Sequence, residues 1–295
     1  MLTYGQNIHI IDLIAQFFSD LSSRKVFCGI KVFALTGVLM SNQAPELSPV
    51  DENIEFVFLG TGNAFSMDNR YWSSILVNDR ILLDASPMVV PHMKRLGKKL
   101  TNLEYIFITH FHADHFFGLP YIFLDFGYLI EKSIPLKIIG PPALMERITR
   151  LTELGFSGLS EKLRGRLEVN YNEVAKPGLY SISGLDFTAE RMKHGETETF
   201  GYKFTEAGKT IAYTGDTDLC DGVIELGLES DVLIIEMSNP NRDVPGHMNL
   251  EKLNQLRKKL SPNLKIILNH IGEFVGEVPK YDNVYIPRDL DVLKL

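Results

Sequence analysis

The segment Thr109-His110-Phe111-His112-Ala113-Asp114-His115 places four side chains able to bind metal ions within six residues. It directly follows an apolar run, Tyr105 to Thr109, whose composition is typical of a buried strand. Imidazole nitrogens and carboxylate oxygens suit zinc and related divalent ions. Two histidines at positions i and i+2 can converge on one ion from a turn, and the Asp-His pair that follows can face a second ion.

Three further candidates each follow another predicted strand: His194, Asp216 and His270. A lone histidine at a strand end is usually structural, but five of the eight histidines in the chain belong to this one set. Asp216 can bridge two ions by giving one oxygen to each. Two ions about 3.5–4 Å apart can act on both sides of a displacement reaction. The pattern therefore predicts a two-metal site in a hydrolase.

The order of predicted elements favours two packed sheets covered by helices, in the α/β class. Residues 51–295 form the predicted hydrolase domain, and residues 1–50 form an N-terminal appendage. The appendage is helical or targeting-like, or marks an overextended start with Met40 as the natural first residue. Its apolar run from Val26 to Met40 is too short for a membrane span of ~20 residues. The region from Pro141 to Leu185 reads more like helices than an extended arm, and Ala143 to Leu154 is predicted as one helix.

Composition gives an ordinary globular chain of 295 residues with a net charge of −7 and a pI near 5.7. This charge argues against a nucleic-acid footprint, although a local basic patch fits within an acidic total. No DNA-binding module is evident. Cys28 and Cys220 form no CxxC pair, which favours a reducing compartment and a cytoplasmic location over export. The appendage could bind a partner, and a homodimer is one arrangement that this allows.

The motif at positions 110–115 and the later His, Asp and His resemble the metallo-β-lactamase fold superfamily. The chain is most similar to its ribonuclease Z and phosphodiesterase-like branch, on Phe58-Leu59-Gly60-Thr61-Gly62, Tyr213-Thr214-Gly215-Asp216-Thr217 and Gly246-His247-Met248. The resemblance implies a four-layer αβ/βα sandwich. It also implies two metal ions, with zinc as the default and manganese or iron as alternatives. The implied ligand sets are His110, His112 and His194 for one ion, and Asp114, His115 and His270 for the other, with Asp216 shared.

The same resemblance implies roles for residues beside the metals. Asp84 would support the metal-binding loop from behind, Asp114 would also orient the attacking hydroxide that bridges the metals, and His247 would protonate the leaving oxygen with Glu236 holding its tautomer. Two structural alternatives stay open. His247 could cap the helix that begins near Leu250, and Glu236 could be a satisfied carboxylate at a strand end.

Several features separate the chain from the tRNA-processing members of that branch. No Gly- and Pro-rich arm is visible between Pro141 and Leu185, Ile235 stands where a histidine commonly precedes the glutamate, and Asn249 replaces a common threonine. We therefore favour a small or cyclic nucleotide phosphodiester as substrate, with RNA next. Another ester class (a sulfate ester, thioester or lactone) is the alternative, followed by a non-catalytic metal-binding protein.

Overall fold

The structure, a computed structural model, describes residues 53–131, 134–274 and 280–295. The predicted appendage over residues 1–50 lies outside the described residues, so its helical or targeting-like character stays a prediction. No helix in the described ranges is long and apolar enough to cross a membrane.

The first sheet has seven strands in the order β14-β1-β2-β3-β4-β5-β6. Strands β3 to β6 run parallel to one another, and β1 runs in the same direction because it and β3 are both antiparallel to β2. The strands are β1 (Glu55–Gly60), β2 (Ser74–Val77), β3 (Ile81–Leu83), β4 (Tyr105–Phe107), β5 (Ile134–Gly140), β6 (Leu167–Glu173) and β14 (Val292–Lys294).

The second sheet also has seven strands, in the order β13-β12-β11-β10-β9-β8-β7. Strands β8, β10, β11 and β12 share one direction, so their carboxyl ends meet at one edge. The strands are β7 (Gly178–Ile182), β8 (Leu185–Arg191), β9 (Phe200–Glu206), β10 (Lys209–Tyr213), β11 (Val232–Met237), β12 (Lys265–Ile271) and β13 (Val284–Tyr285).

Helices cover the outer face of each sheet and complete a four-layer αβ/βα sandwich. The helices are α1 (Val89–Arg95), α2 (Ala113–Phe116), α3 (Leu119–Tyr128), α4 (Leu144–Gly155), α5 (Leu159–Lys162), α6 (Asp221–Gly227) and α7 (Leu250–Arg257). One apolar cluster packs the helices α1, α2, α3, α4 and α5 against the first sheet, and another packs α6 and α7 against the second. This arrangement confirms the predicted fold class.

A third apolar cluster fills the space between the sheets and is rich in aromatic residues. Phe107 at the end of β4 stacks on Phe204 of β9, with ring centroids 5.5 Å apart. It also meets Phe187 edge-on at 5.2 Å. Aromatic pairs in such geometries contribute about 0.5–1.5 kcal/mol beyond their buried area. The metal-binding loop that follows β4 therefore leaves from a rigid, fully packed strand end.

The helical prediction for Pro141–Leu185 is correct for its first half and wrong for its second. Helices α4 and α5 cover the first half, but β6 and β7 lie at sheet edges in the second. The physical reason is the two-residue alternation in Leu167–Glu173, where Leu167, Val169 and Tyr171 pack on the helical layer and the residues between them face away.

Candidate metal centre

The loop after β4 carries four of the seven predicted ligands. His110 is fully buried, His112 stands at the start of α2, and Asp114 and His115 lie within that one-turn helix. The turn directs these side chains to two sides because consecutive helical residues point about 100° apart. The loop thus splits its ligands between two positions, as the spacing predicts.

The other three ligands come from the carboxyl edge of the second sheet: His194 after β8, Asp216 after β10 and His270 near the end of β12. Gly215 allows the Asp216 turn to approach the first sheet. A Cβ on Gly215 would lie 2.6 Å from the Thr109 side chain, and its φ of +60° also favours glycine. The two sheets therefore meet at this edge, with ligands from both.

The seven side chains form two groups. Ligand atoms of the first group lie within 4.8 Å of one another, and the same holds for the second. Asp216 lies between them, since its Oδ1 is 3.4 Å from His115 Nε2 and its Oδ2 is 3.8 Å from His194 Nε2. The first group is His110, His112, His194 and Asp216, and the second is Asp114, His115 and His270. The structure thus brings together every residue predicted as a ligand, in the predicted partition.

Hydrogen bonds orient three of the histidine rings so that one nitrogen of each faces its group. His115 Nδ1 donates to Asp84 Oδ2 at 2.8 Å, and His194 Nδ1 donates to the Gly246 carbonyl at 3.0 Å. His270 Nδ1 contacts Ser238 Oγ at 2.6 Å. In each ring the Nε2 lone pair is left to point inward. Such outer partners are characteristic of metal-binding histidines.

Two inward atoms lack hydrogen-bond partners among the described residues: His110 Nε2 and Asp216 Oδ1, both buried. A buried polar atom without a partner costs about 1–3 kcal/mol. Burial also lowers the pKa of His110 well below its usual value, which keeps the ring neutral and its lone pair available. Divalent ions in the two groups would satisfy these atoms, so the residues present fit the predicted metals.

Asp84 supports the loop from behind. It is fully buried and its Oδ1 accepts from the Thr109 backbone N–H at 2.8 Å. Its Oδ2 accepts from Thr109 Oγ1 at 2.9 Å and from Tyr213 Oη at 2.7 Å, in addition to His115. This carboxylate therefore ties the metal-binding loop of the first sheet to β10 of the second.

His247 and Glu236 also meet beside the ligands. Glu236 Oε1 lies 2.7 Å from His247 Nδ1, and the His247 ring lies 4.8 Å from the His194 ring. Burial lowers the pKa of His247, but the hydrogen bond and charge of Glu236 outweigh burial and raise it. Asn249, not His247, caps α7 by accepting from the Lys252 N–H at 2.8 Å. The capping alternative for His247 therefore has no support in the structure.

A cavity of about 450 Å³ lies on α7 away from the ligands, whereas one of about 380 Å³ opens directly beside His112. The second is lined by Phe111, Arg147, Glu196 and Glu198. The Arg147 guanidinium lies 4.8 Å from the centroid of the Phe111 ring. The sequence did not indicate that Arg147 lines the cavity beside His112, because no residue spacing relates the start of α4 to the loop after β4.

The sequence profile of the family described as Anti-Pycsar protein Apyc1 matches residues 54–283. The chain belongs to this family. Ribonuclease Z of Methanosarcina mazei is 24% identical over an alignment that covers 82% of this chain and 98% of that protein. Human tRNase Z, short form, superposes with a TM-score of 0.65 at 22% identity, over 81% of this chain and 98% of the human chain.

The metallo-β-lactamase fold protein YhfI from Bacillus subtilis has a TM-score of 0.62 at 19% identity, over 82% of this chain and 99% of its own. These comparisons confirm the predicted superfamily and its ribonuclease Z-like branch. The Apyc1-family chain is a metal-dependent hydrolase, and its His/Asp groups indicate divalent metal ions.

Proposed function

We propose that this Apyc1-family protein is a two-metal phosphodiesterase that hydrolyses a small or cyclic nucleotide phosphodiester, with RNA as the next substrate class. The observation that carries the proposal is the position of Asp216 between two ligand groups, each with its own histidines. Two ions so placed would activate water and neutralise charge on a phosphoryl group. Zinc is the metal we propose, because imidazole and carboxylate suit it.

The chain's own residues supply positioning and proton transfer. Asp114 lies at the second group, with Oδ2 3.1 Å from His270 Nε2, where a carboxylate can orient an attacking water. Glu236 engages His247 Nδ1, so Nε2 is the nitrogen that can give a proton to the leaving oxygen. A proton donor of this kind contributes about 10²–10⁴-fold to rate. The hydrogen bond and charge of Glu236 raise the pKa of His247, which favours the protonated form that a proton donor needs.

Charge and size around the cavity beside His112 favour a small substrate. One arginine, Arg147, faces two carboxylates, Glu196 and Glu198, in a volume of about 380 Å³. Pockets of about 300–1,000 Å³ are typical of small-molecule sites. A track for RNA needs several cations that neutralise successive phosphates. Glu198 also pairs with Arg191 at 3.0 Å, so Glu196 is the carboxylate that would repel such a strand, and it can accept hydrogen bonds from the amino groups of one nucleobase.

The test is hydrolysis of bis(p-nitrophenyl) phosphate by the metal-loaded protein, the chelated protein and Asp216→Ala. Asp231→Ala is the matched control, since Asp231 precedes β11 at the opposite edge of the sheet and bonds only outside the site, to the Thr210 N–H at 2.8 Å. We expect activity that chelation and Asp216→Ala abolish and Asp231→Ala retains. Cyclic nucleotides and a short RNA then separate the two substrate classes.

Absence of activity in protein shown to hold two metal ions per chain would refute the phosphodiesterase proposal. The search would then move to sulfate esters, thioesters and lactones. Purification with fewer than two ions, and no gain on metal addition, would favour a non-catalytic protein. A cytoplasmic location and a homodimer remain predictions that cell fractionation and light scattering can check.

A further inference from the structure

Lys252 in the first turn of α7 lies outside both ligand groups but binds three segments around them. Its ammonium contacts Asp218 Oδ1 at 2.7 Å, Asp243 Oδ1 at 2.7 Å and the His247 carbonyl at 2.9 Å. The Lys252 and Asp218 side chains are only 15% and 13% exposed, whereas Asp243 is 75% exposed. Because exposed ion pairs contribute little, the contacts to Asp218 and to the carbonyl dominate.

Asp218 extends these contacts toward the ligands. Its Oδ2 accepts from the Gly246 N–H at 3.3 Å, and its backbone N–H donates to the Lys193 carbonyl at 2.7 Å. The Gly246 carbonyl in turn accepts from His194 Nδ1 at 3.0 Å. Asp218 is therefore linked to the segment before His194 by one hydrogen bond, and to the His194 ring by two hydrogen bonds through Gly246.

The segment that carries His247 is a loop between β11 and α7, without helix or strand structure of its own. Within it, the His247 N–H donates to the Val244 carbonyl at 3.2 Å, and the Asn239 N–H donates to the Met248 carbonyl at 3.3 Å. Met248 anchors this loop in the apolar cluster of the second sheet, and Glu236 Oε1 lies 2.7 Å from His247 Nδ1. The contacts to Lys252 and Asp218 join it to the edge of the second sheet.

We propose that Lys252 and Asp218 form a clamp that positions His247 for proton transfer and holds the Gly246 carbonyl against His194. The proton-transfer part rests on the proposed function, and the His194 part does not. Without the ammonium, two carboxylates and the His247 carbonyl would face one another with no cation between them. The Gly246–His247 backbone would then shift, and a displacement of about 1 Å can cost about 100-fold in rate.

The decisive variant is Lys252→Met, with Lys252→Arg as the conservative rescue. Lys98→Met is the matched control, because Lys98 is 19% exposed and pairs with Glu55 at 2.6 Å and Asp79 at 2.8 Å. Glu55 begins β1, at the edge of the first sheet opposite to the ligands. Each variant removes a half-buried ammonium that pairs with two carboxylates, but only Lys252 lies near the ligands.

Rates on two substrates separate positioning from general destabilisation. A p-nitrophenolate leaves without protonation, whereas the alkoxide of a cyclic nucleotide needs a proton. In metal-loaded Lys252→Met we expect kcat to fall at least about tenfold more on the cyclic nucleotide than on bis(p-nitrophenyl) phosphate, with partial recovery in Lys252→Arg. Lys98→Met should lower both rates equally or not at all. Equal losses on both substrates in Lys252→Met would overturn the proton-transfer part.

Metal affinity supplies the readout that does not need activity. Chelator competition should show one of the two ions bound about tenfold more weakly in Lys252→Met than in Lys98→Met, because the His194 ring has lost its fixed acceptor. Asp218→Asn, of nearly the same size, should repeat this result if Lys252→Met does not fold. Unchanged affinity in both variants would overturn the His194 part. A wild type that cleaves no phosphodiester would refute the proposed function, and this titration would still test the clamp.

Discussion

Asp84→Asn is a perturbation whose consequences the structure defines closely. The carboxylate is fully buried, and its two oxygens accept from the Thr109 backbone and hydroxyl, Tyr213 and His115. Asparagine has nearly the same size and tolerates the left-handed φ of +54° at this position. The substitution therefore keeps the shape of the site, but it removes the charge and replaces one acceptor with a donor.

The magnitude follows from which oxygen the amide replaces. Oδ2 faces three donors, whereas Oδ1 faces only Thr109, through its N–H at 2.8 Å and its hydroxyl at 3.2 Å, so the NH₂ group takes the Oδ1 position, opposite the Thr109 N–H. This removes the charge-assisted hydrogen bond from the Thr109 N–H and weakens the bond from His115. The expected loss is about 1.5–3 kcal/mol, the usual contribution of a hydrogen bond to a charged group. Loss of an outer partner of a metal-binding histidine typically lowers metal affinity about 10–100-fold, which is about 1.4–2.8 kcal/mol. The two estimates agree.

The assay is competition between the protein and a chelator of known affinity, followed by chemical unfolding of the metal-free protein. Tyr202→Phe is the control, because Tyr202 is equally buried and its hydroxyl donates to the Ile108 carbonyl at 2.8 Å without touching a ligand. It should lower the free energy of unfolding by about 1–3 kcal/mol and leave metal affinity unchanged. An Asp84→Asn protein that binds both ions within twofold of wild type would refute the reasoning.

Three further predictions concern pH, substrate and metal. Glu236 raises the pKa of His247, and a general acid acts only when it is protonated. Glu236→Gln should therefore move the alkaline limb of the pH profile of kcat to lower pH. An unmoved limb would exclude the Glu236–His247 pair as the proton donor. Arg147→Ala should raise KM for a cyclic nucleotide at least fivefold more than for bis(p-nitrophenyl) phosphate, because the nucleotide would lose a contact with the guanidinium that contributes about 1 kcal/mol. Arg150→Ala, at an exposed arginine on the same helix, is the control. Chelation should lower the Tm because ions at 100 times their Kd stabilise the fold by about 2.7 kcal/mol, and an unchanged Tm would contradict ligation by both sheets.

The candidate ligands could be found from sequence because each follows an apolar strand, and parallel strands bring their carboxyl ends to one edge. The loop from His110 to His115 combines ligand type, spacing and a preceding strand in one short window. His194 and Asp216 each stand without other candidate ligands close by in the sequence, so each is predicted as a ligand only because the whole set is present. Their placement within 4.8 Å of the loop's histidines depends on the packing of the two sheets.

Lys252 and Arg147 could not be found in this way. Lys252 sits on an amphipathic helix, where a lysine is ordinarily a solvated side chain, and its carboxylate partners lie 9 and 34 residues away in sequence. Burial of its ammonium follows from how the loop after β11 folds back on β10, and loop paths have no periodicity to read. The strand β6 shows the opposite case, since its alternation is present in the sequence and outweighs the polar composition around it.

Substrate choice depends on those same irregular segments. In the proposed site, Asp216 and the buried histidines would determine how ions are held, and such an arrangement serves many ester classes on one fold. The surfaces that a leaving group or base would meet come from the start of α4 and the turn at Glu196–Glu198, next to His112. Substitutions in the ligands can therefore only abolish activity. Substitutions such as Arg147→Ala can change which diester is cleaved, and they are the ones that distinguish a nucleotide from an RNA strand.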